Sequence, residues 1–549
     1  MSNARNDTSG LLSGPHHETD THAVANQPAA RGDLNLWEGD VALRDHAFGG
    51  DGDHIALYGR KMGRAALRET GQEAHHNAPT LRLFDAGGRR LDEVAYHPAY
   101  RELMQAGLGA GYAALPWEGA DGGHSTHAAM VYVTAQVEPG ICCPMTMTYA
   151  AIPALRAAPA LFDEWVPKLT ARLYDPAIKP LAQKAAATMG MALTEKQGGT
   201  DLTGSTTQAV REGETYRLRG HKWFCSAPMS DGLITLAQTP GGLTAFLVPR
   251  WLEGTRNAVH IQRLKDGLGN RSCGVAEIEF ADAIAYPLGD EGEGLRHVQD
   301  MIHHTRLDAG AAPAGLMRAA LGAAHHWCSH RSIGEAQLID QPLMQSVLTD
   351  LALDWEGALA LSLTVARAFD EGSEHGRAFS RLGAALAKYL NTKLCPPLVT
   401  EAMECMGGMS FAEESGVPMI YREASSSGVW EGPGNVLCLE IVRTLREVPL
   451  AGEVLSDALG AVSGEYRRYD AALRAHMGRF PRLSDEGQAR WYADSLATLL
   501  TASILIRQAP PAVADAYIAT RLTGERGRTT GAISGVDTAA ILARLGENA

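Results

Sequence analysis

The chain has 549 residues, 45% hydrophobic and 20% charged, the composition of a folded globular protein long enough for several domains. Its formal net charge of −14 argues against wholesale nucleic-acid binding, since neutralising phosphates takes an excess of basic residues. No run of about eighteen uncharged apolar residues occurs, so no membrane-spanning helix is expected. The eight cysteines, at 142, 143, 225, 273, 328, 395, 405 and 438, form no C-x-x-C pair, and the first twenty residues lack the apolar core of a signal peptide. Both features point to a cytoplasmic protein with reduced thiols.

Residues 1–35 are rich in Ser, Gly, Asp, Asn and His and predict a disordered or extended arm. From 36 to 188 apolar residues recur at helical spacing, as in "YRELMQAGLGAGYAAL" (100–115) and "APALFDEWVPKLTARL" (158–173), which predicts an N-terminal helical domain. The pattern then alternates. "TTQAVREGETYRLRGHKWF" (206–224) reads as two strands about a turn at "REGE", and "LITLAQT" (233–239), "LTAFLVP" (243–249), "VHIQRL" (259–264) and "VAEIEF" (275–280) continue the series. A mostly antiparallel β-domain over 189–292 follows. The helical period returns over 293–446, with "QPLMQSVLTDLALDWEGALALSLTVARAFD" (341–370) as a bundle helix, and a further helical region occupies 447–549. The expected class is α+β, mostly α: helices, a β-domain, a four-helix-type bundle and extra helices.

No G-x-G-x-x-G follows a strand, and no P-loop, H-E-x-x-H or G-x-S-x-G is present. His326 and His330 would share a helix face, but no carboxylate or second cysteine completes a ligand set, so no metal is assigned. "MGMALTEKQGGTDLTGST" (189–206) is the densest polar segment. Its Gly198–Gly199 pair and hydroxyl side chains suit a backbone cradle for a pyrophosphate, and equally a polar turn. "GHKWFCSAP" (220–228) sets Trp223 and Phe224 beside Ser226 at a strand end, which suits stacking on a planar cofactor or ordinary core packing. In "VWEGPGN" (429–435), Glu431 lies beside a tryptophan on a glycine-bounded turn and reads as a solvated loop carboxylate or a base held at a site.

Taken together and in this order, these segments resemble the acyl-CoA dehydrogenase family of flavoproteins. "ALTEKQGGTDLTG" (192–204) fits the family's first signature, "ECMGGMSFAEESGVPMIYRE" (404–423) resembles the second, and "WEGPGN" (430–435) stands where the family carries its catalytic glutamate. "NQP" (26–28), "CPMTMTYAA" (143–151), "RLKDGLGNRS" (263–272) and the helical tail are similar to the AidB-like subfamily of DNA alkylation-response flavoproteins. The resemblance implies FAD in a homotetramer that oxidises an acyl-CoA. Met191, Leu193, Thr194, Gly199, Thr200, Phe224, Ser226, Trp430, Gly432, Pro433, Gly434 and Asn435 would contact the flavin nucleotide, Arg331 would reach a neighbouring subunit's FAD, and Glu431 would be the base.

Three positions depart from the family pattern. Ile333 replaces an aromatic residue, which touches the inter-subunit adenine contact, while Ser410 replaces a glycine and Met419 a basic residue, which touches packing and CoA contacts. The AidB-like likeness also implies duplex DNA as a partner through the C-terminal region. Residues 450–549 hold eleven arginines, no lysine and eleven acidic residues. Arg467, Arg468, Arg474, Arg479 and Arg482 form one group of candidate phosphate ligands and Arg521, Arg526 and Arg528 another, each alternatively a solvated helix face or an inter-subunit surface.

Overall fold

The computed structural model describes residues 21–483 and 485–546. Residues 1–20 of the expected arm lie outside that range; residues 21–35 run extended without a helix. Among the described residues, the helices ahead of the sheet are α1 (Val41–His46), α2 (Gly52–Met62), α3 (Ala65–His76), α4 (Pro98–Gly109), α5 (Gly123–Ala135), α6 (Cys142–Leu155) and α7 (Pro159–Leu169). Between α3 and α4 an antiparallel hairpin of β1 (Thr80–Phe84) and β2 (Arg90–Ala95) departs from the all-helical expectation for 36–188. The alternation in "TLRLF" and "LDEVA" about Asp85–Gly88 is the strand signal there, masked by the stronger helical periods on either side.

The sheet comprises β3 (Met189–Ala192), β4 (Gln208–Glu212), β5 (Thr215–Ser226), β6 (Gly232–Thr239), β7 (Gly242–Pro249), β8 (Val259–Leu264) and β9 (Val275–Leu288). It runs β8-β9-β5-β4-β6-β3, and β7 pairs with both β6 and β9, so the path closes on itself. Most pairs are antiparallel, while β3 lies parallel to β6. Beyond it come α8 (Gly294–His330), α9 (Pro342–Asp370), α10 (Glu374–Met406), α11 (Val417–Ser427), α12 (Gly434–Glu447), α13 (Pro449–Gly460), α14 (Arg467–Arg479), α15 (Ala489–Gln508), α16 (Pro511–Tyr517) and α17 (Thr538–Leu542). The class is α+β and mostly α.

Two compact units emerge, neither contiguous in sequence. One comprises residues 70–123 and 138–309 and contains the sheet. Its core is the inward face of the strands, with Leu218, Leu233, Phe246, Val259, Ile261 and Ile278 buried together with Val94 of the hairpin. The other comprises residues 1–69, 124–137 and 310–549, and its described residues are mostly helical. In it α9 packs on α10, α10 on α11 and α12, and α15 on α9, α10 and α12. The helix boundaries follow ordinary capping. Ser373 Oγ accepts from Gly376 N at 2.9 Å to open α10, and Gly407, at φ +63°, ends it.

Candidate functional site

In the sheet-bearing unit, β3 delivers Met191, then the buried Leu193 and half-buried Thr194, into a turn closed by paired Glu195 and Gly198 backbones. The Thr194 carbonyl accepts from Trp223 N at 2.8 Å, which ties the turn to β5. A methyl group added at Gly199 would lie 2.5 Å from Thr194 Oγ1, so that one position is crowded by the Thr194 side chain. Thr200 is exposed beyond it.

Beneath the turn Glu195 is almost wholly buried. Its Oε1 accepts from Lys222 Nζ at 2.7 Å and Thr207 Oγ1 at 2.6 Å, and its Oε2 from Thr206 N at 2.7 Å and Thr206 Oγ1 at 2.8 Å. Burial alone would raise its pKa, but the Lys222 ammonium and these donors hold the carboxyl well below its ordinary range. Glu195 and Lys222 were not singled out by sequence. The signal for Lys222 is a lone lysine within β5 between residues of the sheet; Glu195 offers none.

Opposite β9, β5 carries one extra residue between Lys222 and Cys225. This bulge accompanies the outward turn of Phe224, which is 47% exposed, with the half-buried Ser226 two residues on. Lys265 Nζ lies 3.6 Å from the Trp223 ring centroid and 4.7 Å from that of Phe224. An exposed aromatic face, a hydroxyl, and a polar backbone turn with Gly199 packed on Thr194 fit a planar, phosphate-bearing cofactor.

In the helical unit, α11 ends at Ser427 and α12 begins at Gly434 behind Pro433. The intervening turn places two successive residues in the left-handed region, Glu431 at φ +56° and Gly432 at φ +91°. Glycine adopts that conformation freely; glutamate does so against its steric preference. Glu431 is half-buried, Trp430 is 39% exposed, Pro433 and Asn435 are exposed, and Gly434 is buried. The fully buried Lys388 of α10 donates to the Gly432 carbonyl at 2.8 Å.

Arg331, at the end of α8, donates to the Asn26 carbonyl at 2.7 Å, while the Asn26 side chain pairs with both backbone groups of Ser332. The extended segment is thus clipped to that corner. Ile333 is 66% exposed. Ser410 and Met419 are both buried; the Ser410 hydroxyl donates to Met403 O at 2.9 Å and Gly407 O at 2.8 Å, a local capping role that a glycine could not fill.

The arginine clusters divide. Arg467 and Arg528 are exposed, and Arg468 is exposed and paired with Glu525 at 2.9 Å. Arg521, by contrast, sits against Asp350 at 2.6 Å and Asp354 at 2.8 Å with a nearly buried side chain, and Arg526 joins both carboxylates at 3.0 and 3.4 Å. The expectation of a phosphate grip at Arg521 and Arg526 is corrected on this ground. Asp350 and Asp354, one turn apart on α9, are buried acids whose countercharges these two arginines supply.

Three family models match the chain: the adaptive response protein AidB N-terminal domain over 26–176, the acyl-CoA dehydrogenase middle domain over 190–283, and the acyl-CoA dehydrogenase C-terminal domain over 292–446. The chain belongs to the acyl-CoA dehydrogenase family, whose members are FAD-dependent oxidoreductases. It is 41% identical over 507 residues to AidB of Escherichia coli (strain K12), covering 90% of this chain and 94% of that one. It is 30% identical to acyl-CoA dehydrogenase family member 11 of Caenorhabditis elegans over 69% of this chain and 64% of that one. Among solved structures, Caenorhabditis elegans ACDH-11 in complex with C11-CoA aligns with a TM-score of 0.81 at 24% identity, over 99% of this chain and 95% of that one. The apo-form of Bd2924 aligns with a TM-score of 0.80 at 25% identity, over 89% and 100%.

Proposed function

We propose that this protein introduces a double bond between the α and β carbons of an acyl-CoA, with Glu431 as the base. The observation that carries the reading is the left-handed Glu431 turn, where the family's catalytic glutamate is expected. A carboxylate held in a sparsely populated backbone conformation points to a functional constraint on its direction. FAD supplies the acceptor for the hydride and its two electrons leaving the β carbon. Glu431 breaks the α-C–H bond by taking the proton, the C–H electrons become the new C=C bond, and the Glu431 backbone N–H donates to the thioester carbonyl as it gains negative charge. Thr194, Gly199 and Thr200 would hold the phosphates, Phe224 would pack on the ring, and Ser226 would donate to it. Trp430, Gly432, Pro433, Gly434 and Asn435 would line the cofactor, and Arg331 would reach the FAD of a second subunit in a cytoplasmic homotetramer.

The test is Glu431→Gln. The purified variant keeps its yellow flavin, and titration with straight and branched short-chain acyl-CoAs no longer bleaches it. Bleaching at the wild-type rate would overturn the assignment.

A second reading rests on the AidB likeness and on the exposed Arg467, Arg468 and Arg528: a flavoprotein that binds duplex DNA in the response to alkylation, with little dehydrogenase turnover. Flavin bleaching by acyl-CoA at catalytic rates favours the first; DNA retention in gel shifts with slow bleaching favours the second.

A further inference from the structure

Lys388 is among the largest fully buried side chains of the described residues, at 0% exposure, and it is a cation. Desolvating an ammonium is costly, so a lysine buried in a helix is held there by the groups it pairs with. What the charge does there is specific. Its Nζ donates to the Gly432 carbonyl at 2.8 Å, 44 residues along the chain.

That carbonyl is the hinge of the Glu431 turn. Glu431 and Gly432 are both left-handed, and Pro433 follows at φ −66° and ψ 161°, so the chain reverses within three residues before α12 begins. Proline fixes its own φ and disfavours the helical region for the residue before it. The orientation of the Gly432–Pro433 peptide therefore decides where the preceding residue points, and a charge-assisted bond holds that peptide from outside the turn. Farther along, a Cβ at Gly434 would lie 2.9 Å from Lys393 Cε, so α10 backs the turn at two places.

We infer that Lys388 is a positioning residue for the proposed base: its ammonium, through the Gly432 carbonyl, locks the left-handed turn that aims Glu431. This rests on the reading of Glu431 as the base. Misaiming a base by about an ångström costs up to roughly a hundredfold in rate, so the expected effect lies in the chemical step and not in substrate affinity.

The experiment compares FAD-loaded wild type, Lys388→Met, Lys388→Arg and Glu431→Gln, mixed anaerobically with butyryl-CoA and with an eleven-carbon acyl-CoA. Lys388→Met is expected to keep its flavin and a cooperative melting transition, at a lower temperature because the lysine's buried partners lose its charge. Its saturating rate of flavin reduction falls between about 10- and 100-fold with the half-saturating acyl-CoA concentration unchanged, and Lys388→Arg recovers part of the rate. Reduction by Lys388→Met at the wild-type rate overturns the proposal, as does a loss confined to half-saturation. A crystal structure of Lys388→Met reads the same point without substrate: a reoriented Gly432 carbonyl is expected, and an unchanged left-handed Glu431 overturns it. Flavin reduction by Glu431→Gln would instead sink the reading of the base, separately from the effect of Lys388 on the turn.

Discussion

At the scale of single residues, the two charges that brace the cofactor loop and the one glycine that shapes it do different work. Gly199 has no positive φ; its constraint is Thr194 Oγ1, 2.5 Å from any added Cβ. Gly199→Ala is expected to weaken FAD retention by about tenfold or more, near 1.4 kcal/mol, read as the flavin-to-protein absorbance ratio after dialysis. Adding Thr194→Ala should restore part of the loss, because the clash partner is removed. Lys222→Met leaves Glu195 buried without its countercharge, a change that costs about 3–5 kcal/mol, read as a lower melting temperature. The pH dependence has a definite sign. Glu195 is held below its ordinary carboxylate range in the folded state, so its stabilisation is present above the usual value of 4.5 and is lost as pH falls below it. Melting temperature should drop on acidification in wild type and drop less steeply in Lys222→Met.

Among the secondary-structure elements, the C-terminal helices are tied to the bundle by buried ion pairs. Arg521, in the turn that follows α16, and Arg526, in the segment beyond it, reach Asp350 and Asp354 of α9, and Arg544 reaches Glu356 at 2.7 Å. Arg521→Ala is therefore expected to lower thermal stability by about 3–5 kcal/mol while leaving DNA affinity per folded molecule unchanged. Replacing Arg467, Arg468 and Arg528 together should do the reverse, with little change in melting temperature. Both sets read in sequence as clustered arginines that could grip phosphate. Their difference comes from α9, more than a hundred residues upstream, whose carboxylates at i and i+4 face one way on the helix. The β5 bulge belongs here too: an extra residue re-aims Phe224, and alternation within "YRLRGHKWF" does not announce it.

For the whole molecule, charge and cofactor set the testable behaviour. Arginines and acids balance in residues 450–549, so the remaining chain carries the −14. A duplex-binding surface on such a protein has to be local, and its affinity should fall steeply between 50 and 200 mM salt, as about one counterion is released per phosphate contacted. A flat salt response in gel shifts would discard the DNA reading. FAD binds the folded state alone, so stripping it should lower the melting temperature, and excess FAD at about 100 times its Kd should return near 2.7 kcal/mol.

The order of helices, sheet and bundle was legible because period 3.6 and period 2 are local properties of the chain, and the loop and turn motifs were legible because glycine and proline act on their own backbone. The family assignment followed from those motifs in sequence. Only the tertiary structure decided which charges are spent inside, that Glu195 and Lys222 brace one turn and Lys388 another, and that Asn26 clips Arg331. Each of these is a contact between residues far apart in the chain, and burial, which decides whether a charge is a ligand or a strut, is a property of the fold and not of the residue.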